Sequence, residues 1–177
     1  LAYFLTVASA LILHGLLVYP TLLRILAGVN PLTFLRKMRE PMLVAFSTSS
    51  SGATLPVTLR TVEHRIGVNN NVASFAVPLG ATINMDGTAI MQGVATVFIA
   101  QFFGYQLGVD ALLMVILTAT LASIGTAAVP GVGLITLTLV LGQVGLPIEG
   151  IGLIIGVDRL LDMLRTVVNV TGDGTVA

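Results

Sequence analysis

VDRLLDMLRTVVNVTGD, residues 157–173, carries five of the 16 formal charges of a chain in which only 9% of the 177 residues are charged. At about 100° per residue, with Asp158 set at the origin, Asp162, Arg165, Thr166, Asn169 and Asp173 fall at roughly 40°, 340°, 80°, 20° and 60°. All six polar groups therefore share an arc of roughly 100° on one helix. Leu160, Leu161, Leu164, Val167 and Val168 take the rest of the circumference, with Met163 and Val170 nearer the polar edge. In an apolar chain, such a ridge faces the protein interior or a water-filled cavity and marks a substrate or ion pathway. The competing account is a structural network in which Asp162 and Arg165 neutralise each other at i, i+3. One arginine cannot neutralise three aspartates, however, and Arg159 sits at the edge of the arc. Positive charge must arrive from outside, as an amino group or as metal cations.

Composition sets the class. The chain is 55% hydrophobic, with a mean hydropathy of +1.01, no Cys and no Trp. Soluble domains carry about 25% charged residues, and this chain has too few to cover a wet surface. Its apolar runs reach the about 20 residues that a spanning helix needs. They are continuous rather than alternating, so the fold class is all-α integral membrane and not a barrel. The large buried core of a soluble enzyme is the weaker alternative. A multi-pass protein of the cell (inner or plasma) membrane is expected, with the lipid bilayer as a partner. The net charge of zero argues against nucleic acid. With no cysteine, disulfides and thiolate metal sites are excluded. The chain opens on Leu1 without a charged leader, so no signal peptide is expected. It stops at TGDGTVA without a polar tail, which reads as a piece of a longer protein.

Arg24, Arg36, Lys37, Arg39, Arg60 and Arg65 all precede position 66, and residues 66–157 contain no Lys or Arg. Short basic loops stay cytoplasmic, so residues 1–30 read as a spanning helix that reaches the cytoplasm near Arg24. Residues 31–66 enclose the apolar PMLVAFSTSSSGATLPVTL (41–59), with basic clusters on both flanks. Both flanks belong on one side, so this segment is expected to enter the membrane and return. Its Ser/Gly/Pro tip lines a cavity, because non-helical backbone at membrane depth is tolerated only there or inside protein. A Ser-rich surface loop between two short helices is the other possibility. Residues 70–105 read as a helix broken at NMDGT (84–88), with Asp86 near its middle. A carboxylate at that depth costs roughly 2.5–3.5 kcal/mol and calls for a partner, with a bound cation the obvious one. Residues 110–148 are split by SIGTAAVPGVG (123–133) and read as a second re-entrant hairpin, or as two spans joined by a glycine turn. Residues 150–177 hold the polar last helix. Interrupted hydrophobic segments of this kind point to a transporter's central site.

The residue types suggest the cargo. An arginine fork grips a carboxylate bidentately, and an aspartate accepts from an ammonium. Hard alkali cations take oxygens from carboxylates, amides and backbone carbonyls, which Asp173, Asn169, Asn84, Asp86 and the broken backbones supply. No nucleophile–base arrangement is visible, so no enzymatic activity is expected. His14 lies in the first helix and His64 in a basic loop.

STSSSGATLP (47–56), GATINMDGTAI (80–90), ASIGTAAVPGVG (122–133) and DMLRTVVNVTGD (162–173) closely resemble the dicarboxylate/amino acid:cation symporters, which include the glutamate and aspartate transporters. The resemblance runs over essentially the whole chain. It implies that residues 1–177 are the mobile transport (elevator) domain, carrying L-aspartate or L-glutamate with Na+ as coupling ion, H+ being the alternative. It further implies a homotrimer built on a scaffold that lies outside this chain. By resemblance, Arg165 holds the side-chain carboxylate and Asp162 the α-ammonium. Thr166 and Asn169 hold the main-chain carboxylate or amino group, while Thr88, Ser49, Ser50, Ser51, Val129 and Gly133 close around the substrate. One sodium site maps to Gly80, Asn84, Asn169 and Asp173. A second maps to Thr82, Ser123, Ile124 and Thr126, and a third to Asn84 and Asp86 with partners from a helix outside the chain. Gly52 stands where the family's first tip has a serine, and Ala128 where the second often has glycine. Ser49 and Met163 occupy places where members carry a further arginine, for which Arg159 is the nearest substitute. The runner-up functions are a neutral amino acid or C4-dicarboxylate carrier, an ion-conducting pore, and a fragment that does not transport alone.

Overall fold

A computed structural model describes residues 1–177. It is helical from end to end and contains no strand. Helix α1 (Ala2–Leu13) runs through a π-helical turn (His14–Val18) into α2 (Tyr19–Leu26). Pro20 explains the turn, because its ring nitrogen cannot donate to the helix ladder and one widened turn absorbs the loss. The continuous Ala2–Leu26 segment is long and apolar enough to cross a bilayer.

Pro31 opens α3 (Pro31–Thr48), capped by Asn30, whose Oδ1 accepts from the backbone N–H groups of Leu32 at 3.0 Å and Thr33 at 3.3 Å. The helix stops at Ser49, the one non-glycine residue with positive φ (53°). Ser50 then caps α4 (Ser51–Thr61), accepting from Ala53 N–H at 3.0 Å. The two arms are tied at their base, where Glu40 receives Arg60 at 2.6 Å and Arg65 at 2.8 Å. A second π-helical turn (Val62–Ile66) ends at Gly67, whose φ of 99° suits glycine alone.

α5 (Asn70–Ile83) and α6 (Asp86–Phe102) are separated by Asn84 and Met85 in non-helical backbone. α7 (Val109–Ile124) and α8 (Val132–Gln143) flank an irregular tip at residues 125–131. A short 3-10 segment (Ile148–Leu153) leads into α9 (Ile155–Val176).

α9 is the centre of the molecule, packed against α1, α2, α3, α4, α5 and α6. Two apolar cores flank it. One gathers Tyr3, Val7, Leu11, Met91, Ile99, Leu137, Leu141 and Leu161, and the other Leu23, Phe34, Met38, Ala45, Val62, Val77 and Val170. Leu161, Val168 and Val170 meet these neighbours, whereas Leu160 remains 56% exposed. The outer faces of α1, α7 and α8 leave Leu5, Leu13, Leu113, Ile116, Leu121, Ile135 and Leu139 more than half exposed. So much contiguous apolar surface suits lipid or other protein rather than water.

Candidate functional site

The polar ridge of α9 is buried along its full length: Asp158, Asp162, Arg165, Thr166, Asn169 and Asp173 range from 1% to 8% exposed. Arg165 is at its centre. Its Nη2 donates to Asp162 Oδ1 at 2.8 Å and lies 3.2 Å from Asp158 Oδ1. Its Nε and Nη1 have no partner at all. A guanidinium offers five N–H donors, and leaving buried donors unsatisfied costs about 1–3 kcal/mol each. Such orphans call for an explanation, and an incoming acceptor is the direct one.

Both hairpin tips converge on this ridge. Asp162 Oδ2 accepts from the Gly131 N–H at 2.9 Å, which fixes the second tip and places a carboxylate at the N-terminus of α8. The first tip reaches the second through Ala128 O, which accepts from Ser50 Oγ at 2.7 Å and Gly52 N–H at 3.1 Å. Beneath this junction is a cavity of only about 20 Å³, lined by Ser49, Ser51, Met85, Thr88, Thr126, Ala127, Ala128, Val129, Val132, Gly133, Asp162, Thr166 and Asn169. Ser49 Oγ is buried there without a partner. Gly133 is glycine for a reason: an added methyl would lie 2.8 Å from Arg165 Nη1 and 3.1 Å from Met91 Cε. The N-termini of α4 and α8 meet at the two tips, and helix N-termini favour anions.

A second polar cluster forms where α5 and α6 break. Asn84 Nδ2 donates to Asp173 Oδ1 at 3.1 Å and to Asn169 O at 3.2 Å. Asn169 Oδ1 accepts from Gly87 N–H at 2.8 Å, and Met85 Sδ lies 3.2 Å from Asn169 Nδ2. Three glycines make the approach possible. A methyl on Gly80 would come 2.8 Å from Asp173 Oδ1, one on Gly87 2.8 Å from Arg165 O, and one on Gly172 would collide with the Asn84 amide. Asp173 has no Lys, Arg or His within ion-pair distance. Asp86 Oδ2 is reached by His14 Nε2 at 3.2 Å and by Tyr19 Oη at 3.1 Å. The interior thus sets four carboxylates against a single guanidinium and one histidine.

A model of the sodium:dicarboxylate symporter family matches residues 1–177. The chain belongs to this family. It is 50% identical to excitatory amino acid transporter 3 of Mus musculus, over 97% of the chain and 33% of that protein. An excitatory amino acid transporter of Caenorhabditis elegans is 47% identical, over 97% of the chain and 34% of its own length. Excitatory amino acid transporter 5 of Mus musculus is 45% identical, over 99% and 31%. The chain spans about a third of the length of the relatives it matches. Its family and these relatives are transporters, not enzymes, which agrees with the absence of a nucleophile–base pair.

Not every residue singled out from the symporter motifs falls into these clusters. Ser49, Ser51, Thr88, Gly133, Asp162, Thr166 and Asn169 share the tip cavity's wall, whereas Val129 is 54% exposed although it lines the same cavity. Gly80, Asn84, Asn169 and Asp173 are drawn together. Ser123 and Ile124 line a wider cleft with His14, Gly80, Asn84 and Asp86. Thr126 belongs to the tip cavity, and Thr82 is exposed, its hydroxyl donating to Leu79 O at 2.9 Å. Arg159 is exposed and makes no ion pair. Sequence reasoning passed over His14 and Tyr19 as partners of Asp86. The available signal was an ionisable ring in an otherwise apolar span. It also missed Met85, which touches Asn169, and the Gly131 N–H, which no side-chain pattern reveals.

Proposed function

We propose that the protein is a secondary active symporter that moves an acidic amino acid, L-aspartate or L-glutamate, across the cell membrane together with sodium. Arg165 carries the reading: it is 1% exposed, and Nε and Nη1 lack any acceptor beside a cavity closed by both tips. A carboxylate is the acceptor that a guanidinium fork fits in two places at once. Asp162 would take the α-ammonium in exchange for part of its bond to Arg165. Thr166, Asn169 and Thr88 complete the polar wall, and Ser49, Ser50, Ser51, Val129 and Gly133 close over the cargo. A cavity of about 20 Å³ holds about one water, so loading an amino acid requires the tips to part.

Sodium is the second cargo. The donor set at Gly80, Asn84, Asn169 and Asp173 is oxygen-rich and holds a buried carboxylate without a cationic side chain, which suits a hard monovalent cation. Ser123, Ile124, Thr126 and Thr82 would supply a second site, chiefly through backbone oxygens, and Asn84 with Asp86 a third. The two hairpins are re-entrant in this reading, and residues 1–177 move as one body in an elevator stroke. The complete protein is a homotrimer held by a scaffold outside these residues. The continuous packing of both hairpins onto α9 supports a single moving unit.

The test is L-aspartate binding with and without sodium at fixed pH, followed by competition with succinate. Aspartate binding that rises with sodium and resists succinate is expected, because a dicarboxylate cannot give Asp162 an ammonium. Binding that is indifferent to sodium and follows pH would replace sodium with a proton. Equal competition by succinate would remove the amino acid from the assignment.

A further inference from the structure

The seven residues of the second tip, 125–131, make three hydrogen bonds beyond their own hairpin. One is Gly131 N–H to Asp162 Oδ2. The other two end on the same atom, Ala128 O, which accepts from Ser50 Oγ at 2.7 Å and from Gly52 N–H at 3.1 Å. We propose that Ala128 O is the seat of the gate, and that Gly52 is glycine so that the first tip can press close enough to hold it shut.

The geometry leaves little slack. A methyl on Gly52 would lie 3.1 Å from Ala128 O, 3.5 Å from Ala128 Cβ and 3.7 Å from Ser50 Oγ. The first distance is tighter than ordinary contact, so either the tips separate by a few tenths of an ångström or the N–H···O bond bends. The two positions that depart from the symporter pattern, Gly52 and Ala128, are in direct contact across the gate. The methyl of Ala128 fills space beside Gly52 that a side chain there would otherwise claim. Ser50 is held in place by its own capping bond to Ala53 N–H, so the donor pair is preorganised on the first tip. Opening the gate therefore means releasing one carbonyl from two donors at once, while Ser49 Oγ and the free edge of Arg165 wait beneath it. The inference rests on the transport reading for its cargo, but the latch itself is a property of the two tips.

The decisive variant is Gly52→Ala in the purified full chain. Alanine favours the helix that starts at Ser51 more than glycine does, so folding is protected. The chain has no cysteine, and spin labels on Leu43→Cys in α3 and Leu121→Cys in α7, both exposed, report tip separation without any substrate. In Gly52→Ala a longer-distance population is expected, with L-aspartate leaving about 3–10-fold faster, the range for spoiling one neutral hydrogen bond. Gly142→Ala, whose methyl meets nothing within 4 Å, should change neither. If Gly52→Ala leaves the label distances as in the unsubstituted chain, the latch is refuted. If the distances lengthen but no L-aspartate binds even without the substitution, the latch stands and the acidic amino acid assignment falls.

Discussion

Replacing Arg165 separates what that side chain does for the fold from what it does for the cargo. Arg165→Cys removes the only cation beside Asp158 and Asp162, which are 5% and 8% exposed. Removing one partner of a buried ionic network costs about 3–5 kcal/mol, mostly because the remaining charges stay stranded. The cargo loses a pair of charge-assisted hydrogen bonds of about 1.5–3 kcal/mol each, or roughly 10²–10⁴-fold in aspartate affinity at about 1.4 kcal/mol per factor of ten. A second substitution tells these losses apart. Asp158 touches Arg165 at 3.2 Å but does not line the tip cavity, so Asp158→Asn on top of Arg165→Cys should return about 1–3 kcal/mol of stability. It should return none of the aspartate affinity. The assay is thermal or denaturant unfolding in detergent, alongside calorimetric titration with aspartate and with serine. Unchanged aspartate affinity in Arg165→Cys refutes the cargo assignment. A double variant no more stable than Arg165→Cys refutes the account of the buried charges.

Three further outcomes follow from close approaches to glycine. Gly133→Ala puts a methyl 2.8 Å from Arg165 Nη1; displacing the guanidinium should weaken aspartate binding about tenfold, at an overpacking cost of about 1–3 kcal/mol, and wild-type affinity in a titration would show that Nη1 does not face the cargo. Gly80→Ala drives a methyl to 2.8 Å from Asp173 Oδ1, so the sodium concentration needed for half-maximal aspartate binding should rise about tenfold by the same steric cost. An unaltered sodium titration would detach Asp173 from the ion. Gly150→Ala collides with the side chain of Ile99 in the core between α6 and the 3-10 turn, so it should destabilise by about 1–3 kcal/mol. Since the clash needs both side chains, the penalty should largely vanish in an Ile99→Ala background; additive losses in this double-mutant cycle would refute the contact.

Much of this protein can be read from order and spacing alone. A chain with so few charges has to be solvated by lipid or protein, and continuous apolar runs in lipid have to be helical because every backbone group must find an internal partner. The ridge from Asp158 to Asp173 is legible for the same kind of reason: a helix repeats every 3.6 residues, so one segment reports which of its side chains share a face. The breaks at Asn84–Met85 and at the two tips are visible in their glycines, prolines and hydroxyls. Periodicity reports nothing, however, about which face of one segment meets which face of another.

That second decision belongs to packing. Asn84 meets Asp173 across 89 positions of chain, and Ser50 meets Ala128 across 78. These meetings depend on the absence of side chains at Gly80, Gly172 and Gly52, which lets backbones approach closely enough for polar atoms to bond. His14 and Tyr19 find Asp86 only because a π-helical turn carries both rings toward the broken helix. Thr82 lies two residues from Asn84 yet points away from the cleft, since a broken helix has no single period to extrapolate. The sequence by itself determined the solvent, the helices and the charged face. The tertiary structure decided which polar groups face each other, because that depends on shape complementarity between segments far apart in the chain.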